Sequence, residues 1–311
     1  MRAGVRVILG PAAAVEHARW THSAPAIINR PSSRGEGHQP RSGGGGSKTF
    51  GADTRIRGTM LTPLIMKLEH FLPLSDHDKE WLNGLVLRYH EFPAHSDIIR
   101  EEELHAGVFV VVAGHACCYK ILPDGSRQIL DFMFPGDKTE LYSLLLKATD
   151  HGISTLGPTT IAWINRDRLI VELTEHPHVA VALWWNALQR AAILRERITA
   201  IGRRDAYARV AHLLCEMFER LRLVGETVDH HYRLPVTQAE LGDALGMSKV
   251  HTNRMLRHLQ NEGLIINDHR MLRIPNLDAL KATAEFDARY LHLDGAPHAV
   301  RDALSTPRRS P

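Results

Sequence analysis

The sequence predicts an α+β protein built from an N-terminal antiparallel β-roll, a long dimerisation helix and a C-terminal winged helix-turn-helix. Three observations carry that expectation. Short β-prone runs separated by turn residues fill the stretch from Glu91 to Asn165, one unbroken helical apolar stripe occupies residues 175–201, and residues 237–260 read as two helices joined at a glycine. With 311 residues, 44% hydrophobic and 23% charged, the chain can bury more than one core, so two domains plus tails are expected.

Residues 1–59 are rich in Arg, Gly, Pro and Ser, include the run Gly43 to Gly46 and show no sustained apolar period. They are expected to be a disordered extension, or a start-site artefact with Met60 as the true initiator. The apolar stretch from Val5 to Leu9 is short for a targeting segment and is soon followed by Pro11.

Residues 60–174 form the expected β-roll sensor domain. Its lead-in, Leu64 to Leu87, has helical spacing, with Ser75 and Asp76 placed to cap a second short helix. Val108–Val112, Ala116–Leu122, Arg127–Phe134 and Ser154–Asn165 are the expected strands, and Asp124-Gly125 marks a hairpin. Residues 175–201 are the dimerisation helix, because Val181, Trp184, Trp185, Leu188, Ala192 and Ile198 make a stripe that a second copy could cover.

Residues 202–280 are the DNA-binding domain, opened by a helix over Asp205–Leu223, and residues 281–311 are expected to be a flexible tail. Within the domain, Thr237-Gln238-Ala239-Glu240 is a capping box, so a helix starts there. Gly246 permits a turn, Met247 fills its angle, and Ser248 caps a second helix running to about Gln260. Gly242 is small where the two helices approach each other. At 100° per residue, Thr252, Met255, Leu256 and Leu259 face inward, while Val250, Asn253, Arg254 and Arg257 face outward.

Lys249 and His251 flank that outward side, and Thr237, Gln238 and Ser248 complete the expected DNA-contacting set. Arg suits guanine O6 and N7, Asn suits adenine, and an apolar side chain suits the thymine methyl. Leu264-Ile265-Ile266 and Met271-Leu272-Arg273-Ile274 then form a hairpin wing whose Arg270 and Arg273 are candidate phosphate contacts.

These residues resemble the Crp/Fnr family of bacterial regulators over about Leu64 to Leu280. The resemblance rests on Thr237 to Leu241, Gly246-Met247-Ser248, Asn253-Arg254 and Glu262-Gly263-Leu264-Ile265. Gly202 to Ala206 and Ala211 to Leu214 look like that family's junction between dimer helix and DNA-binding domain. It implies a roll like cyclic-nucleotide-binding domains, a homodimer, palindromic double-stranded DNA, RNA polymerase as a further partner, and a cytoplasmic setting. The family's base-reading Arg, Glu and second Arg would fall on Lys249, Val250 and Arg254, so only the last is kept.

The resemblance also places a candidate effector site at Gly136, Asp137, Glu140, Leu141 and His151. Lys138-Thr139-Glu140-Leu141 lacks the family's Gly, and Asp150-His151-Gly152 stands where a phosphate-binding Arg belongs, so no cyclic AMP site is expected. The cysteine cluster that would ligate iron–sulfur is also missing. Cys117, Cys118 and Cys215 make neither a disulfide framework nor a metal motif. No cofactor is therefore expected, and twenty histidines single out no haem ligand.

A net charge of +3 neither demands nor excludes nucleic acid. No run reaches the ~18 apolar residues of a membrane helix, so no membrane partner is expected. The sequence has no phosphate loop, zinc pair or nucleophile elbow, which argues against an enzyme. The alternative is a small-molecule or cyclic-nucleotide sensor acting through protein contacts; the charged outward face of the second helix argues against it.

Overall fold

Pro63, in the first turn of α1 (Thr62–Phe71), has no N–H to leave unsatisfied there, and Ser75 with Asp78 makes a reciprocal capping box for α2 (Asp76–Gly84). The computed structural model describes residues 61–103, 107–139, 148–268 and 271–305. The expected extension 1–59 and the candidate residues Glu140, Leu141 and Arg270 lie outside them.

Seven strands follow the two helices: β1 (Val86–Phe92), β2 (Asp97–Ile99), β3 (Val108–Ala113), β4 (Ala116–Ile121), β5 (Arg127–Met133), β6 (Gly152–Thr155) and β7 (Thr159–Ile164). They form two antiparallel sheets, ordered β1-β7-β3 and β2-β6-β4-β5, the expected roll. Phe109, Val111, Ala116, Cys118, Met133, Ile153 and Ile161 pack as one of its cores. The hairpin at Asp124-Gly125 forms with Gly125 at φ 82°. The expected single run from Ser154 to Asn165 is two strands in different sheets, because Leu156-Gly157-Pro158 turns the chain between them.

After α3 (Arg166–Glu172), α4 (Pro177–Arg203) runs for 27 residues and presents two distinct faces. Trp184 (67% exposed), Leu188 (54%) and Ile198 (72%) line an open stripe, with Val181 half-buried at its start. Trp185 and Ala192 do not belong to it. Trp185 stacks on Phe71 of α1 at 4.8 Å and Ala192 is buried, so both pack within their own chain. Trp184 and Trp185 are neighbours, and one helical step of 100° separates core from surface.

α5 (Ala206–Arg222), capped by Asp205, leads into β8 (Thr227–Val228), β9 (His231–Arg233), α6 (Gln238–Leu245) and α7 (Lys249–Asn261). β10 (Ile266–Asp268) and β11 (Met271–Arg273) complete a sheet ordered β10-β11-β9-β8, and α8 (Leu277–Thr283) closes the winged region.

Beyond α8 the described residues, up to Ser305, fold back rather than forming the expected flexible tail. A 3-10 turn, Ala288–Leu291, and α9 (His298–Ser305) return to the roll side. Leu291 and Ala296 are buried, Gln189 of α4 donates to the Leu291 carbonyl at 2.5 Å, and the Ala296 N–H donates to the Phe71 carbonyl at 2.8 Å. The helical period that would have revealed this segment is interrupted by Gly295 and Pro297.

The roll and the winged region share one core, in which Cys117, Ile129, Phe132 and Phe134 meet Leu214, Met217, Leu221 and Tyr232. Charge joins them as well. Asp131 of β5 takes Arg220 of α5 at 2.9 Å and Arg190 of α4 at 3.3 Å, while Asp137 takes Arg220 at 3.1 Å and Lys67 of α1. All five side chains are buried. Burial alone would raise both carboxyls, but Arg220 and Arg190 on Asp131, and Lys67 and Arg220 on Asp137, outweigh it and hold them below the usual carboxylate range.

Candidate nucleic-acid interface

Two capped helices set the geometry of this surface. Thr237 Oγ1 accepts from the Glu240 N–H at 3.2 Å, and Glu240 Oε2 accepts from the Thr237 N–H at 2.7 Å, so the expected capping box starts α6. Gly246 ends it in the left-handed region at φ 63°, where a side chain would be strained. The Met247 N–H donates to the Gly242 carbonyl at 3.0 Å, and a Cβ on Gly242 would meet the Met247 carbonyl oxygen at 2.5 Å. Only glycine allows so close a crossing.

Ser248 caps α7, accepting from the His251 N–H at 3.2 Å. Thr252, Leu256 and Leu259 are buried on its inner side. Lys249, Val250, Arg254 and Arg257 are exposed on the other, Val250 by 81%, and His251 is half-buried. Arg254, Arg257 and Lys249 make no ion pair with any described residue, which leaves their charge available to an external anion. Tyr207 of α5 bonds Glu262, and Glu262 also takes His258 at 3.0 Å, anchoring the far end of α7.

Asn253 and Gln238 come together: Asn253 Nδ2 donates to Gln238 Oε1 at 2.7 Å. Bidentate reading of adenine by Asn253 would require that bond to be exchanged. The wing strands β10 and β11 pair as expected, with the exposed Arg273 opposite His231 of β9 and the exposed Arg233 opposite Met271.

The roll reaches this surface from behind through contacts the sequence did not announce. Arg127 of β5 pairs with Asp243 of α6 at 2.8 Å, Gln128 donates to the Ala244 carbonyl at 3.4 Å, and His95 lies 3.6 Å from Glu240. Single charged residues on separate strands and helices have no spacing that links them in sequence.

The described candidate effector positions have partners within the chain. Gly136 stands at φ 83° against the Pro63 carbonyl, and Asp137 is committed to Lys67 and Arg220. His151 pairs with Asp150 at 2.7 Å. Gly136 and Asp137 thus stand at the junction between the roll and the helices. Among the described residues no group of three His, Cys, Asp or Glu side chains could hold a metal ion.

Known proteins share both halves of this arrangement. Residues 208–283 match the Crp-like helix-turn-helix domain and residues 89–176 the cyclic nucleotide-binding domain. The chain is 28% identical over 191 residues to the transcriptional activatory protein AadR of Rhodopseudomonas palustris, spanning 60% of this chain and 77% of that one. It is 27% identical over 182 residues to the nitrogen fixation regulation protein FixK of Azorhizobium caulinodans, spanning 56% and 69%. The structure of FixK2 from Bradyrhizobium japonicum superposes with a TM-score of 0.58 at 26% identity, covering 65% of this chain and 98% of that one.

Proposed function

Since this chain belongs to the Crp/Fnr family of transcription regulators, we propose that it binds two-fold symmetric DNA as a homodimer and regulates transcription there. The observation that carries this is the exposed outer side of α7, where Lys249, Val250, Arg254 and Arg257 stand opposite a buried Thr252-Leu256-Leu259 face. That side presents fork-shaped donors for guanine and an apolar contact for thymine. Two copies would set their α7 helices in successive major grooves, about 34 Å apart. The open α4 stripe of Trp184, Leu188 and Ile198 supplies a surface for the pairing.

RNA polymerase in the cytoplasm is the further partner this reading implies, and likeness to transcriptional activators supports it. No described helix is long and apolar enough to cross a membrane. The reading assigns the chain regulation rather than catalysis.

It also holds that DNA binding needs neither cyclic AMP nor an iron–sulfur cluster. Asp137 is spent on Lys67 and Arg220. Cys117 and Cys215 are buried, and burial pushes their thiols up to about 11 and about 12.

Selection of bound sequences from a random DNA pool, with and without cyclic AMP, tests the proposal. A two-fold symmetric site enriched equally in both arms is expected, with affinity falling steeply between ~50 and ~200 mM salt. No enrichment in either arm would sink it.

A further inference from the structure

A cleft of about 250 Å³ lies where two turns of the roll meet the winged region. The turns are the one between β3 and β4, which carries His115, and the one between β6 and β7. The winged region supplies the end of α5, Glu226 and the chain leaving β9 from Arg233 onward. Leu156, Pro158, Leu221, Leu234 and Pro235 make the walls apolar.

The roll side of the cleft is tied together by its backbone. Gly114, at φ 80°, lets the two turns touch, since a Cβ there would collide with the Pro158 carbonyl oxygen. The His115 carbonyl accepts from the Leu156 N–H and from Thr159 Oγ1, both at 2.9 Å. The His115 ring stands edge-on to Phe134 at 5.8 Å, which fixes one side of it.

Two donors in this lining are within reach of a ligand. The ring nitrogens of His115 make no hydrogen bond with any described residue, and neither is sealed from solvent. The Arg233 guanidinium is exposed and makes no ion pair with any described residue. Burial first, and then Arg233, lowers His115 to about 4, so at neutral pH its ring offers one N–H donor without a second positive charge. Glu226, exposed and likewise without an ion pair among the described residues, opposes a second negative charge on any occupant. One guanidinium fork suits one carboxylate, and the leucine and proline walls suit hydrocarbon.

We propose that this cleft binds a small apolar monocarboxylate, its carboxylate on Arg233 and the His115 ring and its hydrocarbon body against the leucine and proline walls. Because the lining comes from both halves of the protein, an occupant ties the roll to β9 of the winged region. Any effect of that tie on DNA rests on the proposed function; the binding itself does not.

Calorimetry of the full chain without DNA, at matched ionic strength, compares sodium benzoate, sodium acetate, benzyl alcohol and inorganic phosphate. Saturable benzoate binding is expected, and weaker binding of the other three. Acetate lacks the apolar body, benzyl alcohol lacks the charge, and phosphate carries charge that Glu226 opposes. Arg233→Gln should weaken benzoate by about tenfold or more, the worth of a charge-assisted hydrogen bond. NMR of the His115 ring in the unaltered chain reads the site without any substitution, and benzoate should move its titration upward from about 4. No saturable benzoate binding, another probe bound as tightly, undiminished binding in Arg233→Gln, or an unmoved His115 would each overturn the proposal.

Discussion

Arg254 stands on the exposed side of α7 with no ion pair among the described residues to give up on meeting DNA. Arg254→Ala should cost about 1–3 kcal/mol in operator affinity and relax preference at one base pair, read by competition between single-base variants of the selected site. Its neighbour Val250 sets the contrast, since Val250→Glu should shift the selected sequence toward a cytosine, whose N4 amino group a carboxylate accepts. Two histidines act on stability instead. Burial first, and then Arg204 on His212 and Arg233 on His115, lowers both to about 4. The unfolded chain takes up protons between the ordinary value of 6.5 and about 4 that the folded chain refuses, so stability is complete above 6.5 and drains as pH falls through that window. Urea midpoints measured from pH 7 to 4.5 should decline, and His212→Gln should flatten the decline.

At the scale of elements, α4 has two faces, one packed on its own chain and one open for the proposed pairing. Leu188→Glu places a charge in the open stripe and should shift sedimentation from dimer to monomer with little change in the urea midpoint of the monomer. Trp185→Ala empties the site against Phe71 and should cost about 3–5 kcal/mol of stability while leaving the dissociation constant of the dimer nearly unchanged. The sequence made the helix plain, because 27 residues of continuous helical spacing admit few other readings. It did not separate Trp184 from Trp185, since a stripe wide enough for two partners has no sequence mark at the border between them. The helix-turn-helix was legible for the opposite reason: Thr237, Glu240, Gly242, Gly246 and Ser248 each do a local job that only a few residue types can do. Arg127 and Asp243, 116 positions apart, do a job that depends entirely on the fold.

Across the whole molecule, the buried ions make the roll and the winged region depend on each other. Asp131→Asn removes the charge that Arg190 and Arg220 share and leaves two guanidinium groups under-compensated in the interior. A loss of about 3–5 kcal/mol is expected, seen as a single lowered transition in scanning calorimetry. Two separate transitions with only the roll affected would contradict the shared core. The segment after α8 adds an ordering in time. His70 hydrogen-bonds the Leu293 carbonyl at 2.7 Å across 223 positions, and the Phe71 carbonyl waits for the Ala296 N–H. On the ribosome α1 is made long before either partner, so its contacts with that segment close only after residues 291–296 have been synthesised. A nascent chain halted after α8 would hold its helix-turn-helix yet leave Phe71 and Trp185 without the cover of Ala296, a state for chaperones and proteases to meet.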